Sequence, residues 1–197
     1  MITFDTNYKQ ILTNACLHCR DPYFLPANPT FIHAGCCSYS PVLGLFEIYQ
    51  MIKDGNREYF INTIYNHKAA TIKPYEIIIH ANVHPQFDQL SLNHLSHIEK
   101  ADIRLQYSVC QFFEPQKGCG LPGNYKNTTC RSFICLSVED QLDEQRKSQL
   151  KKWNTLIYQE VKTFVKQHRK ALQSFGMNLQ TDVQSVLNYL EVEGSKN

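Results

Sequence analysis

Eight cysteines stand in this chain of 197 residues, four between positions 16 and 37 and four between 110 and 135. Nothing else in the sequence narrows its structure as much. Cys16, Cys19, Cys36 and Cys37 form the first group; Cys110, Cys119, Cys130 and Cys135 form the second. A chain this long buries a hydrophobic core without covalent staples, so thiols at this density need a chemical reason. Two thiolates from one Cys-x-x-Cys turn, as in Cys16-Leu17-His18-Cys19, reach a single tetrahedral metal or one iron–sulfur cluster. Adjacent side chains in extended chain point to opposite faces, so Cys36 and Cys37 serve one centre only from a bent backbone, which Gly35 before them permits. In the second group Gly118, Gly120, Pro122 and Gly123 make the links turns. Arg131 beside Cys130 is placed to offset a thiolate's charge, and Phe112, Phe113, Tyr125 and Phe133 to shield the site from water.

Disulfides would also give an even count of cysteines. Against them stand the core-sufficient length, the strain of pairing vicinal cysteines, and an N-terminus, Met1-Ile2-Thr3-Phe4-Asp5, without the features of a secretory signal. A second alternative is that four cysteines bind metal and the others pack as small hydrophobes. His18 and His33 read as supporting or surface residues rather than ligands, and the i, i+4 pair His80 and His84 as coincidence. No apolar run approaches the roughly 20 residues of a membrane helix. The 20 basic and 18 acidic residues give no argument for nucleic acid or an anionic membrane. No phosphate-binding glycine loop, nucleophile elbow or dinucleotide fingerprint is present. The expectation is a cytoplasmic protein, off the membrane and without nucleic acid, open to an unknown protein partner.

Periodicity predicts one helix-rich α+β domain over 1–197, with cysteine regions at 16–37 and 110–135 and a helical C-terminal part at 137–193. Ser40-Pro41 reads as a helix start ahead of Leu43, Phe46, Tyr49 and Ile52, with a second helix over 57–67. Tyr75 to His80 reads as a buried strand, and 103–113 as a strand delivering Cys110. Ser137 and Asp140 resemble a capping box opening a long amphipathic helix closed by Gly176; Thr181 and Gln184 resemble another for a short helix ending near Gly194.

The cysteine regions resemble the CxxCxxCC-type zinc- or iron-chelating domain family (YkgJ-like). The likeness rests on Cys16-x-x-Cys19 and Cys36-Cys37, then Cys110-Gln111-Phe112, Gly118-Cys119, and Tyr125 through Cys130-Arg131-Ser132-Phe133. It covers about a third of the chain. Sixteen residues, Arg20 to Gly35, stand where the family has two, and Asn127-Thr128 stands where it has Arg-Pro. The resemblance implies metal binding by all eight cysteines. It hints at enzyme chemistry, since related domains occur in flagellin lysine-N-methylases with an iron–sulfur centre. The residues themselves favour an iron–sulfur cluster of the [4Fe-4S] type over zinc, because eight shielded thiols exceed one zinc's needs. Its role would be electron transfer, metal handling or sensing. A cluster-dependent protein-modifying enzyme and a structural-zinc interaction module are the alternatives; no catalytic residue is assigned.

Overall fold

The computed structural model describes residues 2–15, 19 and 21–195; Cys16 and His18 lie outside them. Nine short strands pair in antiparallel fashion among them. These are β1 (Ile2–Asp5) with β2 (Gln10–Thr13), β3 (Val42–Gly44) and β4 (Ala70–Lys73) on either side of β5 (Glu76–Ile79), β6 (Asn82–Val83) with β7 (Ser108–Val109), and β8 (Phe113–Glu114) with β9 (Gly118–Cys119). The helices are α1 (Leu45–Lys53), α2 (Arg57–Tyr59, running into a π-helical turn at Phe60–Tyr65), α3 (His97–Leu105), α4 (Thr128–Ser132), α5 (Leu136–Glu139), α6 (Glu144–Ser174) and α7 (Val183–Gly194). The fold is helix-rich α+β, as expected.

The main core forms around α1, where Leu45, Ile48 and Met51 are wholly buried. A helix apolar on nearly every side must be enclosed. Ile77 and Ile79 of β5, Leu172 of α6 and Val186, Leu187 and Leu190 of α7 belong to the same buried cluster. A smaller cluster joins Ile2 and Ile11 of the N-terminal hairpin to Leu142, Leu150 and Ile157, with Phe4 stacked on Trp153 at 5.3 Å between ring centres.

Four local expectations are corrected. Residues 42–44 extend the sheet instead of opening α1, because Val42 and Leu43 pair with Ile78 and Ile77; the helix starts at Leu45, with Glu47 accepting the Gly44 N–H at 2.8 Å. Residues 103–105 belong to α3, whose start is fixed by a reciprocal Ser96–Glu99 cap. Only Ser108 and Val109 remain as strand before Cys110. Ser137 caps no long helix, since its hydroxyl is committed to Asp21 at 2.6 Å; α6 begins later, with Asp143 accepting the Arg146 N–H at 2.8 Å. Asp182, not Thr181, caps α7, accepting from Ser185 N–H at 3.0 Å. In each case a specific hydrogen bond outweighs a weak periodic signal.

Leu187 is fully buried where α7 meets α1. Leu187→Ala is expected to lower unfolding free energy by about 2–5 kcal/mol, read from urea denaturation midpoints.

Candidate metal centre

The two cysteine regions meet through the backbone: the Cys110 N–H donates to the Cys37 carbonyl at 2.7 Å. Cys37 lies in a 3-10 turn, Gly35–Ser38, closed by the Ser38 hydroxyl on the Gly35 carbonyl at 2.8 Å. Gly35 has φ +57°, and a Cβ there would stand 3.3 Å from both Cβ and Sγ of Cys19. The bent backbone anticipated for the vicinal pair is thus present, and glycine admits Cys19 against it. Cys110 follows β7, while Cys119 sits on the β8–β9 hairpin opposite Phe113. Cys130 rides on α4, where the side chain of Asn127 accepts the Cys130 N–H at 2.7 Å and donates to the Val42 carbonyl at 3.0 Å.

These four thiols share one electrostatic neighbourhood. Burial, and then Cys119, Cys37 and Cys110, push the Cys130 thiol up to about 12, although the residue as a whole is exposed. Burial, with smaller contributions from Cys37 and Cys119, pushes Cys110 up to about 11. Cys119 is raised by burial and by Cys37. Cys37 thus adds to the rise of each of the other three. Cys37 runs the other way: a hydrogen bond from Cys36 brings it down to about 7 against the cost of burial. Lys126, whose Nζ donates to Gln10 Oε1 at 3.4 Å, lowers Cys37, Cys119 and Cys130.

The partition differs from the order along the chain. Cys37, from the first region, joins Cys110, Cys119 and Cys130 of the second. Cys19 is raised by burial and then by Cys135 and Asp21. Cys135 contacts Ser137 Oγ at 3.3 Å, and that hydroxyl donates to the buried Asp21. His33 is exposed, and His84 stacks on Phe31 with 4.0 Å between ring centres. Among the described residues, no three His, Cys, Asp or Glu side chains form a preassembled group able to hold a metal ion. The quartet is a neighbourhood of thiols rather than a closed cage. Its donors suit a thiophilic ion or cluster, since a cation would relieve the mutual repulsion that resists thiol ionisation.

Arg131 does not serve the thiols as the sequence suggested. Its side chain is buried and turned toward the Tyr8 carbonyl at 3.5 Å, Glu160 at 3.8 Å and the Phe46 ring at 5.3 Å. Tyr125 is buried with its hydroxyl on Asn56, and Phe133 packs on Phe24 while remaining partly exposed. Lys126 and Asp21 were not singled out by their sequence; Asn127 carried a readable signal, an Asx residue three positions before an N–H that it caps.

No protein-family model matches the chain, and neither does any curated protein or solved structure. The likeness of the cysteine regions to metal-chelating domains therefore rests on the motifs alone.

Asn127→Ala removes the α4 cap and the link to β3, and is expected to cost about 0.5–2 kcal/mol in chemical denaturation. Burial pushes the Glu47 carboxyl up to about 7 from an ordinary 4.5, against the pull of the Gly44 N–H and Arg131. A carboxyl raised in the folded state binds its proton more tightly there than in the unfolded chain. Its stabilising share is thus complete below its unfolded value of about 4.5 and lost as pH rises toward 7. Glu47→Gln is expected to exceed the native protein in stability at about pH 8 and to lose that advantage near pH 4, as measured by urea midpoints across pH.

Proposed function

We propose that this chain is a metal-binding protein whose centre is the quartet Cys37, Cys110, Cys119 and Cys130, carrying an iron–sulfur cluster. One observation carries the reading: the Cys110 N–H donates to the Cys37 carbonyl at 2.7 Å, which joins the two cysteine regions, and Cys37 adds to the rise of the Cys110, Cys119 and Cys130 thiols. The resemblance of the cysteine regions to metal-chelating domains supports it independently. Bound there, a cluster would supply one-electron chemistry tuned by hydrogen bonds and burial. The protein's part would be to hold sulfurs from a 3-10 turn, a loop, a β-hairpin and one short helix around it. Such a density of thiols suits a reducing compartment, and no described helix is long and apolar enough to cross a membrane.

A second reading is structural zinc, because four thiols match the complement of one tetrahedral all-cysteine site. Anaerobic purification separates the two. A brown protein absorbing broadly near about 400 nm is the expected result; a colourless protein with one zinc per chain would replace the cluster by zinc. Cys37→Ser and Cys130→Ser should each remove one thiolate and lower cluster loading well below one per chain, whereas Cys19→Ser and Cys135→Ser should retain it. Full loading of the Cys130→Ser protein would refute the quartet.

A further inference from the structure

Helix α4 is only five residues long, too short to hold its shape without tertiary support, yet it carries Cys130. Four other parts of the fold hold it. Asn127 ties its first turn to β3. The Thr128 backbone helps to lower the Glu47 carboxyl of α1 against the rise that burial imposes. At its other end the Arg131 guanidinium lies over Phe46 of α1, with Nη1 toward the Tyr8 carbonyl of the N-terminal hairpin and toward Glu160 of α6. Glu160 is in turn held by Lys9 at 2.5 Å.

This is an expensive way to fill a core. Arg131 Nε and Nη2, Glu47 Oε1 and Glu160 Oε2 are buried without hydrogen-bond partners. Buried charges with incomplete hydrogen bonding are commonly no more stabilising than apolar side chains of similar volume. What the guanidinium supplies, and an apolar side chain does not, is direction. Nη1 lies near a carbonyl and a carboxylate while the flat guanidinium lies over an aromatic ring, which limits the azimuth of α4 and hence of the neighbouring Cys130.

We propose that Arg131 is the positioning residue of the thiol centre: anchored among Phe46, Tyr8, Glu47 and Glu160, it aims Cys130 at Cys37, Cys110 and Cys119. The inference rests on the quartet as the metal centre, and its test separates the two claims. Reduced, metal-free protein is titrated with cobalt(II) under anaerobic conditions, because thiolate-to-cobalt charge transfer grows with the number of thiolates bound. Wild type is expected to give the four-thiolate intensity. Arg131→Met should lose about a quarter of it, matching Cys130→Ser, while far-UV circular dichroism and the urea midpoint show a folded chain. Arg131→Lys, which keeps the charge without the fork, should recover only part of the loss.

A second readout needs no metal. Alkylation of Cys130 by iodoacetamide, located by peptide mass spectrometry, should accelerate about tenfold in Arg131→Met as the sulfur turns from the neighbouring thiols toward solvent. It should accelerate to a smaller extent in Arg131→Lys, which covers the case in which the methionine variant fails to fold. Wild-type cobalt intensity together with an unchanged Cys130 alkylation rate in folded Arg131 variants overturns the positioning role alone. A wild-type protein that gives no charge-transfer band overturns the metal centre and the inference with it.

Discussion

The enclosure of α1 is the constraint from which the other placements follow. Its apolar circumference is satisfied by β5 on one side and by α6 and α7 on others, and such burial of large aliphatic side chains outweighs any single polar contact in the chain. The same helix presents Phe46 and Glu47 to α4, and its preceding strand offers the Val42 carbonyl to Asn127. The cysteine loops, which contribute few buried apolar residues of their own, thus take their positions from a core built of other segments. The N-terminal hairpin closes the arrangement from outside: a Cβ at Gly123 would meet the Tyr8 ring at 2.6 Å, so the hairpin turn lies directly on the loop between Cys119 and Cys130.

Much of this was legible in the residues. The α+β class, a buried strand within 75–80, a helix running to Asp54, a helical segment from 57 and the glycine stop at 176 follow from periodicity and from Gly or Asx punctuation. The errors have a common origin. Ser137 looked like a cap because its spacing to Asp140 was right, but Asp21, far away in sequence, claims its hydroxyl. Leu43 fits a helical stripe as well as a strand, and the choice was made by pairing with Ile77. Arg131 beside a cysteine suggested charge compensation, whereas the groups that receive it come from positions 8, 46 and 160. Composition located the thiols but not their partition, because proximity along the chain is a poor guide where glycine turns and a short helix redirect it.

Burial of Arg131 and Glu47 beside the half-buried Glu160 also bears on how the interior tolerates change. An all-apolar seam would accept several packings of similar energy. A guanidinium 3.8 Å from Glu160 and over the Phe46 ring accepts far fewer, at a cost in desolvation. The seam in question is the one that fixes α4 against α1 and α6, where a small rotation would carry Cys130 away from its neighbours.

The bond from Cys110 N–H to the Cys37 carbonyl has a bearing on the order of assembly. It closes a long loop, and such closures are entropically late because nearby segments must first make their own contacts. The intervening chain holds α1, the three-stranded sheet and α3, so the thiols meet only after a nucleus has formed without them. A ligand bound by the proposed quartet would then meet an already folded receptor and stabilise it by mass action, in proportion to the logarithm of free ligand over its dissociation constant. Scarcity of that ligand would leave a folded chain with open thiols rather than an unfolded one.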